Sequence, residues 1–531
     1  MPDAVVIGAG PNGLVAANHL ADHGWSVAVF EAQPEPGGAV RSGELIEPGY
    51  TNDLFSSFYP LAVASPHIAG LDLGIHGLEW RRSPLVVAHP SSDGSCPAVS
   101  QDLDRTAASL DETSPGDGDR WRALYGQWQR VEKPLLGALM APFPPVRAGL
   151  RLATSMPPFD LLRFARFGML PARRMGAESF EGEASRRLLA GNALHAALAP
   201  EAAAGGIFGW IMLCLGQSFG WPVPEGGAAS LTTAMVKRLA SRGVSVTCDM
   251  RVDKVIVRNG RAVAVRLADG TEVEATRAVV ADVVAPQLYL DLVGPDHLPH
   301  QMLEDLKHFE LDDATFKVDW NLDGPVPWTA EPARQAGTVH VGDSVDELTM
   351  TTAQIATGQI PDKPFLLMGQ QSMTDPTRQP SGKETAWAYT HVPQVTKGDA
   401  AGELTGSWDK AEAETFADRI EARVEALAPG FRSRIRGRHI FTPPGLQEAD
   451  ENLRQGAING GSAALYQQLV FRPTPGFGRS ETPVPGLFLG SFSAHPGGGV
   501  HGACGANAAR AAIVADRRRQ LVSRLRPARR S

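Results

Sequence analysis

The chain has 531 residues, of which 43% are hydrophobic and 20% are charged, and its formal net charge is −8. This length allows two or three globular domains, and the acidic balance gives no reason to expect nucleic-acid binding. No apolar run has the length of a membrane-spanning helix, and the first strand is predicted within about four residues of the N-terminus. We therefore expect a cytoplasmic protein without a signal peptide.

The first predicted elements are a strand, a glycine-rich turn and a helix over about residues 11–23. The turn and the first helical residues are Gly8, Gly10, Pro11, Asn12 and Gly13. Gly8 allows a tight turn, Gly10 lets the backbone approach a pyrophosphate, and Gly13 lets the helix pack closely on the sheet. The N-terminal amides of the helix then point at the phosphates. This order predicts a Rossmann dinucleotide site.

The second predicted strand delivers Glu31 at its C-terminal end, where a carboxylate accepts hydrogen bonds from ribose hydroxyls. A carboxylate there repels a 2′-phosphate, which disfavours NADP. Gly37, Gly38 and Arg41 follow in a GGxxRS element that resembles the one shared by the flavin-containing amine oxidase and phytoene desaturase superfamily. The resemblance implies that the glycines pass beside an FAD and that the arginine lies near its phosphates. The alternative for Arg41 is a solvated surface cation.

The segment 147–175 interleaves leucine and phenylalanine with six arginines, and its one acidic residue is Asp160. Such a basic amphipathic segment suits the surface of an anionic membrane. The alternative is an ordinary helix that covers the substrate domain. Pro157, Pro158 and Pro171 favour that alternative because they interrupt the segment. We expect a covering helix and keep peripheral membrane contact open.

The middle of the chain predicts a return to the first sheet. A helix after Pro224 is followed by strands over about 244–247, 252–257 and 262–267, with Asn259-Gly260 as a hairpin turn. Residues 279–281 predict a further parallel strand. Within the superfamily that GGxxRS resembles, the residue at Val252 meets the adenine through its backbone; otherwise Val252 is an ordinary strand valine.

A second sheet is predicted from the alternation of apolar and polar residues over 316–322, with further strands over 365–368 and 386–392. The last of these strands places Trp387, Tyr389 and His391 on one face. These aromatic rings either wall a substrate site or simply pack in a core. We expect core packing.

A strand over residues 485–490 leads into a second glycine-rich block that we expect to enter a helix at about Val500. The candidate cofactor-binding residues here are Pro496, Gly497, Gly498, Gly499 and Val500. Their small side chains let a flat ring lie on the backbone, and the helix amides would stabilise negative charge on a reduced flavin. His495 and His501 flank this loop and are candidates for proton uptake; the alternative is that they cap the loop or face water.

The cysteines exclude one kind of flavoenzyme. Cys96, Cys214, Cys248 and Cys504 are far apart, so the paired-thiol chemistry of flavin disulfide reductases is not expected. Cys504 is near the second glycine block, but a free cysteine there is usually a small buried apolar residue, so we expect FAD to be non-covalent. No cluster has metal-ligand spacing, and no second strand-linked GxGxxG predicts a nicotinamide site.

GAGPNG, EAQPEPGGAVRS, PEGGAASL, DPTRQPSGKETAWAYTHVP and HPGGGVHGACGANAA together resemble the bacterial-type phytoene desaturase family within the flavin-containing amine oxidoreductase superfamily. They are most similar to its pyridine nucleotide-disulfide oxidoreductase domain-containing protein 2-like branch. The resemblance implies an α/β fold, with a Rossmann-type FAD-binding domain (glutathione-reductase-2-like) and a discontinuous α+β substrate domain. We expect FAD-binding parts at 1–66, 218–300 and 440–531, the last with a basic tail, and substrate parts at 67–217 and 301–439.

The expected function is FAD-dependent hydride transfer between a C–C or C=C unit of a small apolar or polyene-like substrate and flavin N5, with oxygen or a quinone as acceptor. A flavin amine oxidase is the alternative, because it shares the cofactor cradle. A flavin-bound interaction protein with little turnover is the alternative from another class.

Overall fold

A computed structural model describes residues 1–525 of the protein. Its strands are, in chain order, β1 (Ala4–Ile7), β2 (Val27–Phe30), β3 (Ser42–Gly43), β4 (Asn52–Asp53), β5 (Trp80–Arg81), β6 (Leu85–Ala88), β7 (Ala98–Val99), β8 (Val223–Pro224), β9 (Val246–Thr247), β10 (Val252–Arg258), β11 (Arg261–Leu267), β12 (Glu272–Glu274), β13 (Ala278–Ala281), β14 (Ala314–Leu322), β15 (Ala336–Val341), β16 (Gln359–Ile360), β17 (Leu366–Gly369), β18 (Glu384–Val392), β19 (Gly398–Asp399), β20 (Ile435–Phe441) and β21 (Leu487–Leu489).

The α-helices of the described residues are, in chain order, α1 (Pro11–Asp22), α2 (Pro60–Ala64), α3 (Pro66–Ala69), α4 (Leu103–Asp111), α5 (Asp117–Leu139), α6 (Val146–Thr154), α7 (Pro158–Met169), α8 (Ala172–Ser179), α9 (Glu183–Ala193), α10 (Gly205–Phe219), α11 (Ala229–Ser241), α12 (His300–Leu306), α13 (Glu331–Gln335), α14 (Val345–Ala356), α15 (Gln371–Thr374), α16 (Lys410–Leu427), α17 (Phe431–Arg434), α18 (Pro443–Ala449) and α19 (Ala503–Leu525). Arg526, Arg529 and Arg530 of the basic tail lie outside the described residues.

The first sheet is parallel and draws its strands from three distant parts of the chain. Within the described residues its order is β21-β13-β1-β2-β9. Helices α1, α11 and α19 pack on one face, and the antiparallel sheet β10-β11-β12 packs on the other. Strands β1, β13 and β21 are buried along their whole length, as expected of a parallel sheet that is covered on both faces. The predicted Rossmann-type α/β fold with a discontinuous second domain is confirmed.

The second sheet is mixed and has the order β20-β14-β18-β17-β15-β6-β7. The alternation predicted over 316–322 is confirmed as strand β14, but every one of its residues is buried. Its apolar side chains pack against α16, where the Phe316 and Phe416 rings meet edge to face at 4.9 Å. Its polar side chains are covered by the β3–β4 hairpin, to which Asn321 and Lys317 are hydrogen bonded. The β3–β4 hairpin, which comes from the N-terminal part of the chain, therefore covers the second face of β14.

The segment 147–175 forms three short helices, α6, α7 and the start of α8, rather than one continuous helix. The breaks fall before Pro158 and at Leu170–Pro171, where proline cannot continue the helical hydrogen bonding. Helix α7 packs on α10 through Phe164 and Phe167, whose rings meet Trp210 at 6.2 and 5.2 Å. Among residues 1–525, no helix is long and apolar enough to cross a bilayer.

Candidate functional site

The glycine turn after β1 is packed too tightly for side chains. Gly8 has a φ of +88°, and a Cβ on Gly10 would lie 2.8 Å from Asp282 Oδ2. A Cβ on Gly13 would lie 2.2 Å from the Gly8 carbonyl oxygen. Pro11 is the first residue of α1. Bare backbone therefore forms the surface at the positive end of this helix, as an anion-binding turn requires.

Glu31 follows β2 directly, and its side chain is hydrogen bonded to the glycine turn after β1. Its Oε2 accepts a hydrogen bond from the Ala9 N–H at 2.7 Å, and its Oε1 accepts one from the Gln33 N–H at 2.9 Å. The side chain is buried. A carboxylate has about four acceptor positions, so this arrangement leaves capacity for further hydroxyl donors.

Gly37 and Gly38 lie against the first glycine turn. The Gly37 N–H donates to the Ala9 carbonyl at 2.9 Å. A Cβ on Gly38 would lie 3.2 Å from the Gly10 Cα. The two glycine elements that the sequence separates by some twenty-five residues therefore form one continuous cradle.

Arg41 is buried inside this cradle and is not a solvated surface cation. Its Nε donates to the Gly38 carbonyl at 2.9 Å, and its Nη2 donates to the Ala449 carbonyl at 2.5 Å. Its guanidinium carbon lies 5.4 Å from the centre of the Phe55 ring. The positive charge thus ties the β2–β3 connection to α18.

Two buried carboxyl groups that sequence reasoning missed lie at the same cradle. Asp282 follows β13, and its Oδ2 accepts a hydrogen bond from the Gly13 N–H at 2.8 Å. Asp450 Oδ2 would lie 3.3 Å from a Cβ on Gly38. Burial, with the charges of Asp450 and Glu31, raises the pKa of Asp282 to about 7. Burial raises the pKa of Asp450 to about 6. For Asp282 the sequence offered one signal, its position directly after an apolar strand, whereas Asp450 follows helix α18 and offered none.

Helix α19 starts against the start of α1. A Cβ on Gly505 would lie 1.9 Å from the Asn12 carbonyl oxygen, so only glycine permits this contact. The prediction that the helix begins at about Val500 is wrong, because α19 begins at Ala503. His501 Nδ1 accepts a hydrogen bond from the Ala503 N–H and ends the loop there. The glycine-rich block after β1 and the one around the start of α19 therefore lie against each other.

The loop before α19 presents backbone to its surroundings. Its members are Pro496, Gly497, Gly498, Gly499 and Val500. Gly499 is exposed, and a Cβ on it would lie 2.7 Å from Leu61 Cδ1. A Cβ on Gly498 would lie 2.6 Å from Asn459 Oδ1. A flat ligand can therefore approach this backbone only because side chains are absent.

The two candidate histidines differ in their surroundings. His501 Nε2 lies 3.2 Å from the Gly497 carbonyl oxygen, and its Nδ1 is bonded to Ala503, so both ring nitrogens serve the loop. Both ring nitrogens of His495 are buried without a hydrogen-bond partner among the described residues, and its ring meets Phe143 at 5.7 Å. Burial lowers the pKa of each histidine to about 4, so both are neutral at pH 7.

Val252 opens β10 and is buried in the cluster that contains Ile7 and Phe30, the last residues of β1 and β2. Two residues earlier, the Met250 N–H donates to the Glu31 carbonyl at 2.8 Å. The start of β10 therefore lies beside the ends of the first two strands. Its backbone is close to the carboxylate that we expect to meet a ribose.

The cysteines carry no paired-thiol chemistry. All four are free, and Cys504 Sγ donates to the Ala494 carbonyl at 3.5 Å. Burial raises the pKa of the Cys504 thiol to about 12, so it stays protonated. Among residues 1–525, no three His, Cys, Asp or Glu side chains are grouped in a way that could hold a metal ion.

The polar face of β14 is a second buried polar surface. Lys317 Nζ donates to Asp319 Oδ2 at 2.5 Å and to the Asp53 carbonyl at 3.0 Å. Trp387 Nε1, on the neighbouring β18, donates to Ser57 Oγ at 2.7 Å. Burial lowers the pKa of Lys317 and raises that of Asp319 to about 6. The aromatic row predicted on β18 therefore faces polar groups as well as apolar ones.

This face keeps hydrogen-bonding capacity that the described protein atoms do not use. Asp319 Oδ1, Asn321 Nδ2 and His391 Nδ1 are buried without a partner among residues 1–525. The Trp387 and Tyr389 rings stack at 5.9 Å beside them. Unsatisfied buried polar atoms next to aromatic walls are typical of a place where solvent or a ligand binds.

Arg378 joins the β3–β4 hairpin, the PEGG turn (residues 224–227) and the DPTR turn (residues 375–378). Sequence reasoning missed this structural role. Its Nη1 lies 2.5 Å from Asp53 Oδ2, its Nε lies 3.0 Å from Asp375 Oδ2, and its Nη2 donates to the Pro224 carbonyl at 2.8 Å. The Gly226 N–H donates to Asp375 Oδ2 at 2.7 Å. None of the three charged side chains is exposed.

The chain is similar in sequence to known FAD-dependent oxidoreductases and their relatives. Residues 3–218 match the family described as FAD dependent oxidoreductase. The chain is 29% identical to the mouse pyridine nucleotide-disulfide oxidoreductase domain-containing protein 2, over 96% of this chain and 92% of that protein. It is 26% identical to the neurosporene-forming phytoene desaturase of Rhodobacter capsulatus, over 97% of this chain and 94% of that protein.

Solved structures share the fold at low sequence identity. An oxidoreductase from Methanosarcina mazei superposes with a TM-score of 0.62 at 15% identity, over 96% of this chain and 99% of that chain. A putrescine oxidase superposes with a TM-score of 0.59 at 16% identity, over 97% and 98%. The resemblance stated from the sequence is confirmed. The family match over residues 3–218, the full-length relatives and the glycine cradle together indicate an FAD-dependent oxidoreductase that is similar to the phytoene desaturases.

Proposed function

We propose that one FAD binds non-covalently along the cradle formed by the turns after β1 and β2 and by the loop before α19. The proposed ligands are Gly8, Gly10, Pro11, Asn12, Gly13, Glu31, Gly37, Gly38, Arg41, Val252, Pro496, Gly497, Gly498, Gly499 and Val500. The observation that carries this proposal is that a Cβ on Gly10, Gly13 or Gly505 would collide with its neighbours where α1 and α19 begin. Glycine backbone at two helix starts fits a dinucleotide.

We propose the same division of the chain into parts at 1–66, 67–217, 218–300, 301–439 and 440–531. Support comes from the two large sheets, because β1, β2, β9, β13 and β21 fall in the first, third and fifth parts. The last boundary is better drawn after Phe441, since β20 runs to that residue and pairs with β14.

An FAD held by these residues would supply hydride-accepting chemistry at its N5 atom. The residues of this chain orient the substrate and take up the accompanying proton. His495 is a better candidate for that proton than His501, because its neutral ring has free nitrogens whereas His501 caps α19. The positive end of α19 stabilises negative charge near the loop.

We propose a small apolar or polyene-like substrate that is oxidised at a C–C bond, with oxygen or a quinone taking the electrons. The names of the full-length relatives support a polyene, and Trp387 and Tyr389 offer an apolar wall. An amine oxidase is the alternative, supported by fold similarity to putrescine oxidase alone. A flavin-bound interaction protein with little turnover is the third hypothesis.

Anaerobic mixing separates these hypotheses. Oxidised enzyme is mixed with polyenes and with amines, and photoreduced enzyme with quinones and with oxygen, while the flavin absorbance is recorded. Bleaching by a polyene and recovery with an acceptor would support the proposal. Bleaching by amines alone would support the amine oxidase. Reduction without recovery by any acceptor would support the interaction protein.

Glu31→Ala is expected to weaken FAD binding by about 1.5–3 kcal/mol, because charge-assisted hydrogen bonds to the ribose are lost. Titration of the apoprotein with FAD measures the affinity. Glu35→Ala is the matched control, since Glu35 is a nearby glutamate outside the proposed ligand set. Unchanged affinity in Glu31→Ala would show that Glu31 is not the ribose ligand.

Asp282 is expected to make FAD binding depend on pH. A pyrophosphate at the start of α1 would bring negative charge beside the Asp282 carboxyl, whose pKa is already raised to about 7. Binding above that pH must then take up a proton, so FAD affinity falls as the pH rises, by at most about tenfold per pH unit. Below about pH 7 the Asp282 carboxyl is already protonated before FAD binds, so the affinity no longer depends on pH.

Titration of the apoprotein with FAD from about pH 6 to about pH 9 measures this slope. Asp282→Asn keeps the size of the side chain and removes its charge, so its affinity should vary less across this range. Equal slopes in the wild type and Asp282→Asn would contradict the role of this carboxyl.

We also propose a cytoplasmic protein that meets its apolar substrate at a membrane surface. Apolar molecules partition into lipid, so an enzyme that contacts the surface shortens their path through water. The exposed apolar side chains of α6 and α7 support this proposal.

A further inference from the structure

Helices α6 and α7 carry an unusual density of exposed apolar side chains. Val146 is 71% exposed, Leu150 64%, Phe159 62% and Leu162 68%. No residue of α6 is buried. Single exposed apolar residues are common on proteins, but a contiguous group marks an interaction site.

The basic charges of the same segment divide into two sets. Arg166 and Arg174 are paired with Glu178, and Arg173 is paired with Glu201 and Asp346. These arginines are engaged by the protein itself. They add little attraction for an external anion because their charges are compensated.

The second set lies beside the exposed apolar residues. Arg147, Arg151 and Arg163 form no salt bridge with any described residue, and the Arg163 guanidinium carbon lies 4.4 Å from the centre of the Phe159 ring. Asp160, at the first turn of α7, is the one acidic side chain on the two helices. Uncompensated arginines next to exposed leucine and phenylalanine match a surface that is both apolar and anionic.

Two phenylalanines of α7 lie on the opposite side of the helix, against the protein. Phe164 is buried and Phe167 is partly buried, and both rings pack on Trp210 of α10. Helix α7 therefore does cover the substrate domain, as the ordinary interpretation predicts. It does so with one face and leaves the other face uncovered.

The residues just before α6 contact the loop before α19 and the start of α19 itself. The Phe143 ring meets the His495 ring at 5.7 Å, and the Asn507 amide of α19 donates to the Met140 carbonyl at 3.2 Å. Helix α6 begins three residues after Phe143. An apolar molecule that leaves a surface at α6 is therefore close to the loop where we propose that the flavin lies.

We propose that the exposed side of α6 and α7, formed by Val146, Leu150, Phe159 and Leu162 with Arg147, Arg151 and Arg163, docks on an anionic lipid bilayer. The inference rests on the proposed function, because it is the apolar substrate that gives the docking its purpose. The leucine and phenylalanine side chains enter the headgroup region, and the three arginines meet lipid phosphates.

Vesicle flotation of the purified full chain tests the docking. The protein should float with phosphatidylcholine vesicles that contain phosphatidylglycerol, float less with phosphatidylcholine alone, and be released by salt. Arg147→Gln/Arg151→Gln should weaken the association about thirtyfold, the effect expected of two basic side chains at an anionic surface. Leu150→Ser/Leu162→Ser should weaken it as well.

Arg166→Gln/Arg173→Gln is the matched control, since it removes two positive charges from the same segment that are paired with different carboxylates, Arg166 with Glu178 and Arg173 with Glu201. This variant should float like the wild type. Equal flotation of the two arginine pairs, or of Leu150→Ser/Leu162→Ser and the wild type, would overturn the proposal. A chain that ends at Leu525 should still float, and loss of flotation on that truncation alone would assign the binding to the C-terminal tail.

Flavin absorbance of every sample separates this inference from the proposed function. A yellow wild-type protein that does not float refutes the docking alone. A colourless wild-type protein refutes the proposed function. The variants of α6 and α7 should keep their flavin, because none of their residues is in the cradle.

Discussion

Gly10→Val is expected to give a protein that does not retain FAD. The added Cβ would lie 2.8 Å from Asp282 Oδ2, and the two γ-carbons would occupy the space above the N-terminus of α1. A pyrophosphate could then not reach the helix amides. The ratio of FAD to protein in the purified sample, and titration of the apoprotein with FAD, measure the loss.

Gly126→Val is the matched control for this change. Gly126 lies in α5, and a Cβ there would have no neighbouring atom within 4 Å. This variant should keep about one FAD per chain. Full flavin content in Gly10→Val would refute the cradle, and equal loss in both variants would show that the effect is not specific to the turn.

Arg378→Leu is expected to lower the free energy of unfolding by about 3–5 kcal/mol. The change leaves Asp53 and Asp375 buried without their cation, since none of the three side chains is exposed. It also removes the donor to the Pro224 carbonyl, so the hairpin, the PEGG turn and the DPTR turn lose their common partner. Urea unfolding followed by tryptophan fluorescence measures the change.

Arg166→Leu provides the comparison with an exposed ion pair. The Arg166 side chain is 60% exposed and is paired with Glu178. Exposed pairs contribute about 0–1 kcal/mol, so this variant should unfold at nearly the wild-type urea concentration. If Arg378→Leu were no less stable than Arg166→Leu, the buried network would not be what joins these segments.

The glycine cradle was predictable because its requirements are local. Gly8 follows a buried strand and has a positive φ, which favours glycine, and Gly10 directly precedes α1, where the GxGxxG spacing predicts a close approach of the backbone to a ligand. Glu31 was predictable for the same reason, since the end of a strand determines where its side chain lies. The strand predicted over 316–322 was also found, as part of β14, because alternation of side chains between two faces is a property of the strand alone.

The residues that the sequence analysis did not identify are positioned by contacts between distant parts of the chain. Asp282 meets Gly13 across 269 positions of the chain, and Arg378 meets Asp53 across 325. Asp282 had one local signal, its position directly after an apolar strand, but that position does not identify Gly13 as its partner. Arg378 stands in a turn, and no local pattern distinguishes it from a solvated surface charge. Their burial follows only when the two parts of the chain come together.

The sequence pattern likewise did not determine which side of α6 and α7 is buried and which is exposed. Phe164 and Leu162 are two residues apart in one helix, yet the first is buried on α10 and the second is 68% exposed. Apolar residues surround much of the helix, so hydrophobic periodicity does not choose one side. The position of Trp210 on α10 made that choice.

The sequence by itself determined the glycine-rich turn after β1 and the two sheets, because each depends on short segments whose geometry is set by backbone sterics and side-chain alternation. The FAD cofactor and the similarity to the phytoene desaturases came instead from the resemblance of five sequence motifs to that family. Only the tertiary structure decided that α19 begins at Ala503 against Asn12, that His501 serves the loop while His495 keeps free nitrogens, and that three arginines stay uncompensated beside an apolar surface. These outcomes depend on which groups fill the hydrogen-bonding and packing positions of distant neighbours, and that is settled by assembly of the whole chain.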